Sequence, residues 1–255
     1  MQNYKIVLSY DGTGFSGWQR QPGKRTVQGE LEAALARIAG KPVQVIGAGR
    51  TDAGVHALGQ TAGFKASFRL DEAELFRALN ANLPETVRVS LLEAAPPDWN
   101  ARRDAKAKTY QYRIWTARQV SPFDVRYVLP WTFPLDVRRM REAARLFVRV
   151  ADFSGFSSNR ELHPVRRVTR SDIRQKGPEL SYTIEGNGFL RYMVRTIVGT
   201  LLEIGRGKLE VDDVERIFSG RKRTLATPTA PAKGLCLLKV VYESPAGAGP
   251  PSGLR

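Results

Sequence analysis

The sequence has little of what disulfide and metal chemistry requires. Cys236 is the only cysteine among 255 residues, which excludes disulfides within the chain. It lies in the apolar run LCLLKVVY, and this setting predicts a buried structural thiol. The two histidines, His56 and His163, share no ligand spacing, and the sequence has neither a P-loop nor a Rossmann glycine pattern. We therefore expect an activity that needs no metal and no cofactor.

Long hydrophobic runs are missing too. No apolar run approaches the ~18 residues of a membrane span, and the first residues, MQNYKIVLSYDG, predict a strand rather than a signal peptide. The apolar content of 42% is ordinary for a globular protein. The sequence therefore predicts a cytoplasmic protein that buries a sizeable core, in one large domain or two small ones.

Negative charge is scarce relative to positive charge. The chain has 40 lysines and arginines against 25 aspartates and glutamates, which gives a net charge of +15. Residues 1–104 contribute +2 of this charge, and the residues after them contribute +13. Such an asymmetric basic surface favours a polyanionic partner, most simply a nucleic acid. Charges that only solvate helix faces are the alternative interpretation.

Residues 1–104 alternate between strand and helix patterns. The helix predicted at 27–39 has Thr26 as its cap, an apolar face and a stop at Gly40. A second amphipathic helix is predicted at 71–80. The order of elements, β-α-β-β-α-β, is that of a split ferredoxin-like unit. The predicted strands of this half are 4–10, 42–46, 60–67 and 87–94.

Residues 105–244 repeat this theme less regularly. A strand at 108–114 places Tyr110 and Tyr112 on one face and Arg113 on the other. The run 189–207 has a wide apolar stripe, which predicts a core helix. The other predicted elements are a helix at 136–150, a hairpin of strands 168–175 and 180–186, a short helix at 211–220 and a closing strand at 234–242.

These elements predict an α+β fold of two ferredoxin-like halves, residues 1–104 and 105–244. Their mainly antiparallel sheets are expected to meet at a central basic cleft. The span 115–133 is irregular, and the segment RKRT at 221–224 is predicted to be exposed. The Pro- and Gly-rich tail 245–255 is predicted to be disordered.

An isolated carboxylate stands in the Gly-rich stretch 47–60, between two strand-like runs. Asp52 follows Arg50 by two residues and precedes Gly54 by two. A loop of this kind holds an acid rigidly at a strand end, where it serves as a nucleophile or base. Asp-Ala-Gly is also an ordinary turn, because Asp bonds its own backbone and Gly accepts a positive φ. Local chemistry therefore leaves a structural turn as the alternative.

Residues 49–57 read Gly-Arg-Thr-Asp-Ala-Gly-Val-His-Ala, and they resemble the motif around the catalytic aspartate of the TruA family of tRNA pseudouridine synthases. The resemblance implies the pseudouridine synthase fold and isomerisation of uridine on the 3′ side of the tRNA anticodon stem and loop. It also implies a homodimer with tRNA lying across both subunits. Further segments that resemble family motifs are Asp11-Gly12-Thr13, Gly17-Trp18-Gln19, Lys108-Thr109-Tyr110 and Met193-Val194-Arg195.

The resemblance also implies roles for individual residues. Asp52 is the essential catalytic carboxylate, Arg195 is its charge partner, and Tyr110 is the platform on which the flipped uracil stacks. Arg50 fills the vacated base stack or clamps a phosphate. Without the resemblance, Tyr110 and Tyr112 are interpreted as a core pair, and Arg195 as an arginine that reaches solvent from a helix edge.

The loop 11–25 is polar, Gly-rich and basic, which makes it a candidate for RNA contact. Arg20, Lys24 and Arg25 are its candidate phosphate contacts, and each of them could equally be a solvated charge. Trp18 is either a residue that stacks on a base or an anchor of the loop in the core.

Two functions of other classes remain open from the sequence. A non-catalytic RNA-binding or RNA-chaperone protein needs only the basic surface and the aromatic residues. A carboxylate glycosidase needs a second acid at a set distance from Asp52, and Asp11 is the candidate for it. For the synthase, the sequence leaves open whether Asp52 attacks C1′ of the ribose, attacks C6 of the uracil or removes a sugar proton.

Overall fold

The structure is a computed structural model that describes residues 1–158, 162–220 and 228–242. Among the described helices, none combines the length and apolar character that crossing a bilayer demands. The strands are β1 (Gln2–Tyr10), β2 (Val45–Gly47), β3 (His56–Ala66), β4 (Val87–Ala95), β5 (Ala107–Trp115), β6 (Leu129–Pro130), β7 (Val150–Asp152), β8 (Val165–Lys176), β9 (Glu179–Gly186) and β10 (Leu235–Val241). The α-helices are α1 (Val27–Ala39), α2 (Glu72–Asn82), α3 (Val137–Arg145), α4 (Met193–Gly205) and α5 (Asp213–Gly220).

Within the described ranges, ten strands join into one sheet. The strands of the first half lie in the spatial order β4-β1-β3-β2, and their pairing is antiparallel. The order β10-β5-β9-β8 repeats this arrangement in the second half, again with antiparallel pairing. The predicted α+β fold class of two ferredoxin-like halves is thereby confirmed.

Strand β10 joins the two halves. Its residues Cys236 and Leu237 pair in parallel with His56 and Ala57 of β3, and its other edge pairs antiparallel with β5. β3 is long enough to pair with β10 near its start and with β2 near its end. The sheets of the two halves are therefore continuous. The division of the chain at residue 104 stays a prediction.

The helices of the first half form where the sequence places caps and apolar faces. Thr26 accepts a hydrogen bond from the backbone N–H of Gly29, and Gly40 ends α1 with a φ of 67°. Asp71 and Glu74 form a capping box at the start of α2. The apolar faces of both helices are buried as their periodicity predicts, with Val27, Leu31, Leu35, Leu75 and Leu79 in the core.

Helix α3 ends earlier than its sequence pattern indicates. The prediction of a helix over 136–150 is wrong beyond Arg145. Leu146 and Val148 close the helix with hydrogen bonds to carbonyls three residues earlier. Val150 then begins β7, where it pairs with Arg167 of β8. Pairing at the edge of the sheet satisfies the backbone of this β-branched segment and outweighs its helical periodicity.

Most other predicted boundaries agree with the structure within a few residues. The predicted hairpin is formed by β8 and β9, and the predicted core helix is α4, whose apolar stripe is buried. β3 begins at His56 rather than at residue 60, because β10 extends its ladder. The irregular span 115–133 contains the short strand β6. The basic segment 221–224 and the tail 245–255 lie outside the described residues.

Candidate active site

A cleft of about 1220 Å³ is lined by segments from both halves of the chain. The first half contributes the loop between β2 and β3, which carries Asp52. The second half contributes residues 187–195, which lead from β9 into the first turn of α4. Tyr110 of β5 and Leu235 of β10 also line the cleft. The cleft therefore gathers motifs that lie far apart in the sequence.

The loop that carries Asp52 rests on two glycines of the loop after β1. Gly17 has a φ of 95°, and a Cβ at this position would lie 2.7 Å from the carbonyl oxygen of Thr51. A Cβ on Gly12 would lie 2.1 Å from the carbonyl oxygen of Val55. Because both distances are shorter than a Cβ tolerates, only glycine permits this approach. The segments around Gly12 and Gly17 therefore hold the Asp52 loop in place.

Hydrogen bonds fix the backbone on both sides of Asp52. Trp18 N donates to the carbonyl of Thr51 at 3.0 Å, and Val55 N donates to the carbonyl of Asp52 at 3.1 Å. The hydroxyls of Thr51 and Tyr10 lie 2.9 Å apart in a buried hydrogen bond. Trp18 is only 2% exposed, so it anchors the loop in the core, which is one of the two roles expected for it.

Asp52 and Arg195 form an ion pair in the wall of the cleft. Nη1 of Arg195 donates to Oδ2 of Asp52 at 3.0 Å, and the two side chains are 16% and 25% exposed. Burial raises the pKa of Asp52, and the hydrogen bond and charge of Arg195, with the charge of Arg191, offset only part of that rise. Oδ1 of Asp52 accepts no hydrogen bond from the residues that the structure describes. One carboxylate oxygen is therefore left for a molecule in the cleft.

Further contacts hold the guanidinium of Arg195 in place. Its Nε donates to the carbonyl of Ala230 at 2.8 Å, and Ala230 N donates back to the carbonyl of Arg195 at 3.0 Å. The ring of Tyr192 lies 4.9 Å from the guanidinium carbon, within the range of a cation–π interaction. Arg195 therefore does not extend into solvent, which was the alternative interpretation of this residue.

Tyr192 has an unusual backbone conformation. Its φ of 61° is the one positive value at a non-glycine position among the described residues, and it caps the start of α4. The guanidinium carbons of Arg191 and Arg195 lie 5.0 Å and 4.9 Å from the centre of its ring. A left-handed backbone costs a bulky residue roughly 1–3 kcal/mol. The fold tolerates this cost and thereby places an aromatic ring beside Arg195.

Tyr110 and Tyr112 have different surroundings although they lie on the same face of β5. The hydroxyl of Tyr112 donates to the carbonyl of Pro231 at 2.7 Å, which makes Tyr112 a fully buried core residue. Tyr110 lines the cleft and packs edge-on against Phe189 at 5.3 Å between ring centres. Its hydroxyl has no hydrogen-bond partner within the described part of the chain. The two tyrosines are therefore not equivalent members of a core pair.

The structure separates the four basic residues expected to contact phosphates. Arg50 and Lys24 line the cleft and are exposed. Arg25 donates to Glu30 at 2.7 Å and covers the ring of Phe15, outside the cleft. Arg20 lies 3.4 Å from Glu32 and is also not among the lining residues.

Sequence reasoning missed four cleft cations, Arg102, Lys108, Arg166 and Arg191. Lys108 precedes Tyr110 by two residues on β5 and therefore shares its face, so strand alternation could have found it. Arg191 lies two residues before Met193, in the segment that leads into α4. No local signal identifies the other two. Arg102 lies in the connection between β4 and β5, and Arg166 lies in β8, so only the tertiary fold brings them to the cleft.

A second cavity of about 340 Å³ is lined by Gln111 and Arg113, which occupy the other face of β5. His56 also lines it, and the Gly12 N–H donates to Nδ1 of His56 at 3.0 Å. Nε2 lies 3.1 Å from the carbonyl of Arg126, which only accepts hydrogen bonds, so Nε2 carries a proton. Nδ1 also lies 3.2 Å from Oδ1 of Asp11. Burial lowers the pKa of His56, and the attraction of a nearby carboxylate offsets only part of this effect.

That carboxylate belongs to Asp11, which accepts hydrogen bonds at both oxygens. The N–H and hydroxyl of Thr13 donate to Oδ1 at 2.9 Å and 2.6 Å, and the hydroxyl of Tyr127 donates to Oδ2 at 3.1 Å. Burial raises the pKa of Asp11, but these hydrogen bonds and the attraction of His56 outweigh it. The pKa of Asp11 therefore lies below its usual range.

Known proteins resemble this chain over nearly its whole length. A family profile described as tRNA pseudouridine synthase matches residues 6–104 and 143–243. The chain is 44% identical to the tRNA pseudouridine synthase A of Geobacillus kaustophilus, over 95% of each chain. It is 45% identical to that of Methylacidiphilum infernorum over 94% of this chain and 95% of the relative. For Limosilactobacillus fermentum the identity is 44%, over 97% and 99%. These matches include both walls of the cleft, and the chain belongs to the tRNA pseudouridine synthase family.

Proposed function

We propose that this chain isomerises uridine to pseudouridine in tRNA, with Asp52 as the carboxylate that acts on the uridine. The observation that carries the proposal is the Asp52–Arg195 ion pair, which faces a cleft that Tyr110 also lines. The relatives that share 44–45% of the sequence bear the name of this activity. The role of each residue follows from the chemistry of the reaction.

The reaction breaks the bond between C1′ of the ribose and N1 of the uracil, turns the base, and joins C1′ to C5. N1 gains a proton and C5 loses one, so no other reactant is consumed. Asp52 suits this reaction because Arg195 favours its ionised form in a partly desolvated site. Its Oδ1 is left for the uridine. We assign Asp52 to the junction of sugar and base, as nucleophile or base.

A uridine inside a paired stem must leave the base stack before Asp52 can reach it, at a cost of a few kcal/mol. We assign Tyr110 as the platform for the extruded uracil. Phe189 packs edge-on against its ring and limits the orientations that the ring adopts. Burial raises the pKa of Tyr110, so its hydroxyl stays protonated at neutral pH and donates a hydrogen bond.

Arg50 and Lys24 are the first candidates for RNA contact among the residues named from the sequence. Both line the cleft and are exposed, so a phosphate reaches them without displacing a protein partner. We assign Arg50 to the backbone or to the space vacated by the extruded base. Arg20 and Arg25 are assigned as outer phosphate contacts, which RNA makes in competition with neighbouring glutamates.

The finer parts of the proposal rest on the family and on the charge distribution. We propose that the target uridines lie on the 3′ side of the anticodon stem and loop. We also propose that the enzyme is a cytoplasmic homodimer whose subunits divide into halves at residue 104. The excess charge of +13 after residue 104 supports a tRNA that lies mainly across the second half. A monomer's mass by light scattering at micromolar concentration would contradict the homodimer.

The test is release of tritium from tRNA that carries C5-tritiated uridine. The natural protein is compared with Asp52→Ala, and tRNA binding is measured in parallel. Release by the natural protein, together with a variant that binds tRNA and releases none, is the expected result. A non-catalytic RNA-binding protein would release none with either chain and bind tRNA equally with both, and that result would overturn the proposal.

A further inference from the structure

Besides Arg191, whose charge acts on Asp52, three cations of the cleft have no role in the proposed chemistry. Lys108 lies on β5, two residues from Tyr110, so its side chain emerges from the same face about 7 Å along the strand. Arg102 and Arg166 line the cleft with it. A Cβ on Gly49 would lie 3.3 Å from Cε of Lys108, so the lysine passes directly beside the loop that carries Arg50 and Asp52. The cluster therefore adjoins the reaction site.

No residue that the structure describes neutralises this cluster. Lys108 makes no hydrogen bond or ion pair with any described residue, and burial lowers its pKa, with further lowering from the charges of Arg102 and Arg166. The guanidinium of Arg102 likewise has no partner in the described ranges. Arg166 donates Nη1 to the carbonyls of His163 and Val165, which orients the group, and it pairs with no carboxylate in the described part of the chain.

Two other partly buried cations of the molecule are paired with carboxylates. Lys5 pairs with Glu93 at 2.7 Å, and Arg113 pairs with Glu179 at 2.8 Å. A partly buried ammonium group next to two guanidinium groups destabilises the folded protein unless an anion binds to them. Three cationic donors that line one cleft suit an oxyanion such as a phosphodiester.

We propose that Arg102, Lys108 and Arg166 form a binding site for one phosphodiester of the RNA backbone, next to the nucleotide held at Tyr110. The inference rests on the proposed function, because it takes the extruded uridine to lie at Tyr110. The site fixes the backbone beside the target nucleotide, so the base enters the cleft in one register. Binding energy from this phosphate helps to offset the cost of extrusion.

The first test compares Lys108→Gln and Lys108→Arg with Lys65→Gln, a control at an exposed lysine of β3 outside the cleft. Lys108→Gln is expected to raise the Kd for an anticodon stem-loop RNA about tenfold and to reduce the slope of log Kd against log salt by about 1. Lys65→Gln should keep the Kd, the salt slope and the turnover of the natural protein, because its lysine lies outside the cleft. Lys108→Arg should restore most of the affinity. A Lys108→Gln protein with the Kd and salt slope of Lys65→Gln would overturn the proposal.

The second test locates the phosphate. Hairpin RNAs are made with one phosphodiester at a time replaced by an uncharged methylphosphonate, and their binding to the natural protein and to Lys108→Gln is compared. One position adjoining the target uridine should weaken binding to the natural protein about tenfold and leave binding to Lys108→Gln unchanged. Equal sensitivity of both proteins at every position contradicts the phosphate site.

The readouts separate this inference from the proposed function. Binding of methylphosphonate RNAs is measured without turnover, so it reports the phosphate site directly. A natural protein that makes no pseudouridine contradicts the proposed function. It contradicts the phosphate site as well only when the methylphosphonate positions also fail to distinguish the natural protein from Lys108→Gln.

Discussion

Two carboxylates near the loop between β2 and β3 have similar exposure and opposite electrostatics. The side chain of Asp52 is 25% exposed and that of Asp11 is 17% exposed. Burial acts on both, yet the pKa of Asp52 lies above its usual value and that of Asp11 lies below it. Asp11 accepts three hydrogen bonds at its two oxygens, whereas Asp52 accepts one from the described residues. The burial of each carboxylate and the donors around it together set the opposite directions of the two pKa shifts.

The comparison also bears on the glycosidase interpretation. That reaction needs two carboxyl groups that face a common space. Asp52 lines the cleft, and Asp11 lines the second cavity on the other face of β5. Its oxygens are occupied by Thr13 and Tyr127. Asp11 therefore does not supply the second acid that the glycosidase interpretation requires.

The largest expected effect is the difference in reaction rate between Asp52→Asn and Asp11→Asn. Asp52→Asn should lower the rate of pseudouridine formation on the order of 10³-fold, because the amide lacks the basicity and nucleophilicity of the carboxylate. Asp11→Asn should keep the rate within about threefold, since Asp11 does not face the cleft. The measurement is single-turnover formation of pseudouridine in tRNA, with tRNA affinity determined alongside. Equal losses of rate in the two variants would show that Asp52 and Asp11 do not differ in their importance for catalysis.

The second prediction concerns Arg195, the cation that pairs with Asp52. Arg195→Gln removes the hydrogen bond and charge that lower the pKa of Asp52, so burial raises that pKa further. The reaction needs the ionised carboxylate, and activity is lost as pH falls through its pKa. The acid limb of the pH–rate profile should therefore move to higher pH. The turnover at neutral pH should fall about 100-fold, because the carboxylate also loses its position.

The control for this prediction is Arg113→Gln, which removes an arginine that pairs with Glu179 on the other face of β5. This variant should keep the acid limb of the natural protein. A shift of equal size in both variants would mean that the acid limb reports net charge and not the ion pair of Asp52.

A smaller effect is expected at Tyr192, whose ring lies beside Arg195. Tyr192→Leu should lower turnover about fivefold, because a cation–π contact at a partly exposed site stabilises by about 1 kcal/mol. Tyr192→Phe keeps the ring and should stay near the natural rate. Tyr192→Asn tolerates the φ of 61° and lacks the ring, so it separates the backbone contribution from the aromatic one. If the turnover of Tyr192→Asn is close to that of Tyr192→Phe, the ring has no role in turnover.

The sequence anticipates those features that depend on local pattern. The helices α1 and α2 follow from caps and apolar spacing, and the first β-α-β-β-α-β unit follows from their order. Asp52, Arg195 and Tyr110 were named from motif resemblance, and the fold places all three at one cleft. Their roles remain proposals.

The sequence does not reveal features that depend on pairing across long separations. β10 joins the halves through parallel pairing of Cys236 with His56, and strand propensity carries no information about that partner. α3 ends early because Val150 pairs with Arg167 of β8. The sequence places Gly12 and Gly17 in a loop. The fold requires glycine at both positions because a Cβ there would clash with backbone oxygens of the loop that carries Asp52.

The smallest expected effect is on stability at the second carboxylate. Asp11→Asn should lower the free energy of unfolding at neutral pH by about 1 kcal/mol, because hydrogen bonds to a charged acceptor are stronger than those to an amide. The pKa of Asp11 is lower in the folded protein than its ordinary value of 3.8, so its ionised form stabilises the fold above that pH. The difference between the variant and the natural protein should therefore shrink as the pH falls below 3.8. The range below about pH 5 is the one that reports Asp11 alone, because Asp11 also raises the pKa of His56, which titrates at higher pH. Urea unfolding across this range measures it, with Asp98→Asn, at an exposed acid, as the control. A difference that grows as the pH falls below 3.8 would mean that the pKa of Asp11 is raised like that of Asp52, and that the contrast between the two carboxylates has been assigned with the wrong sign.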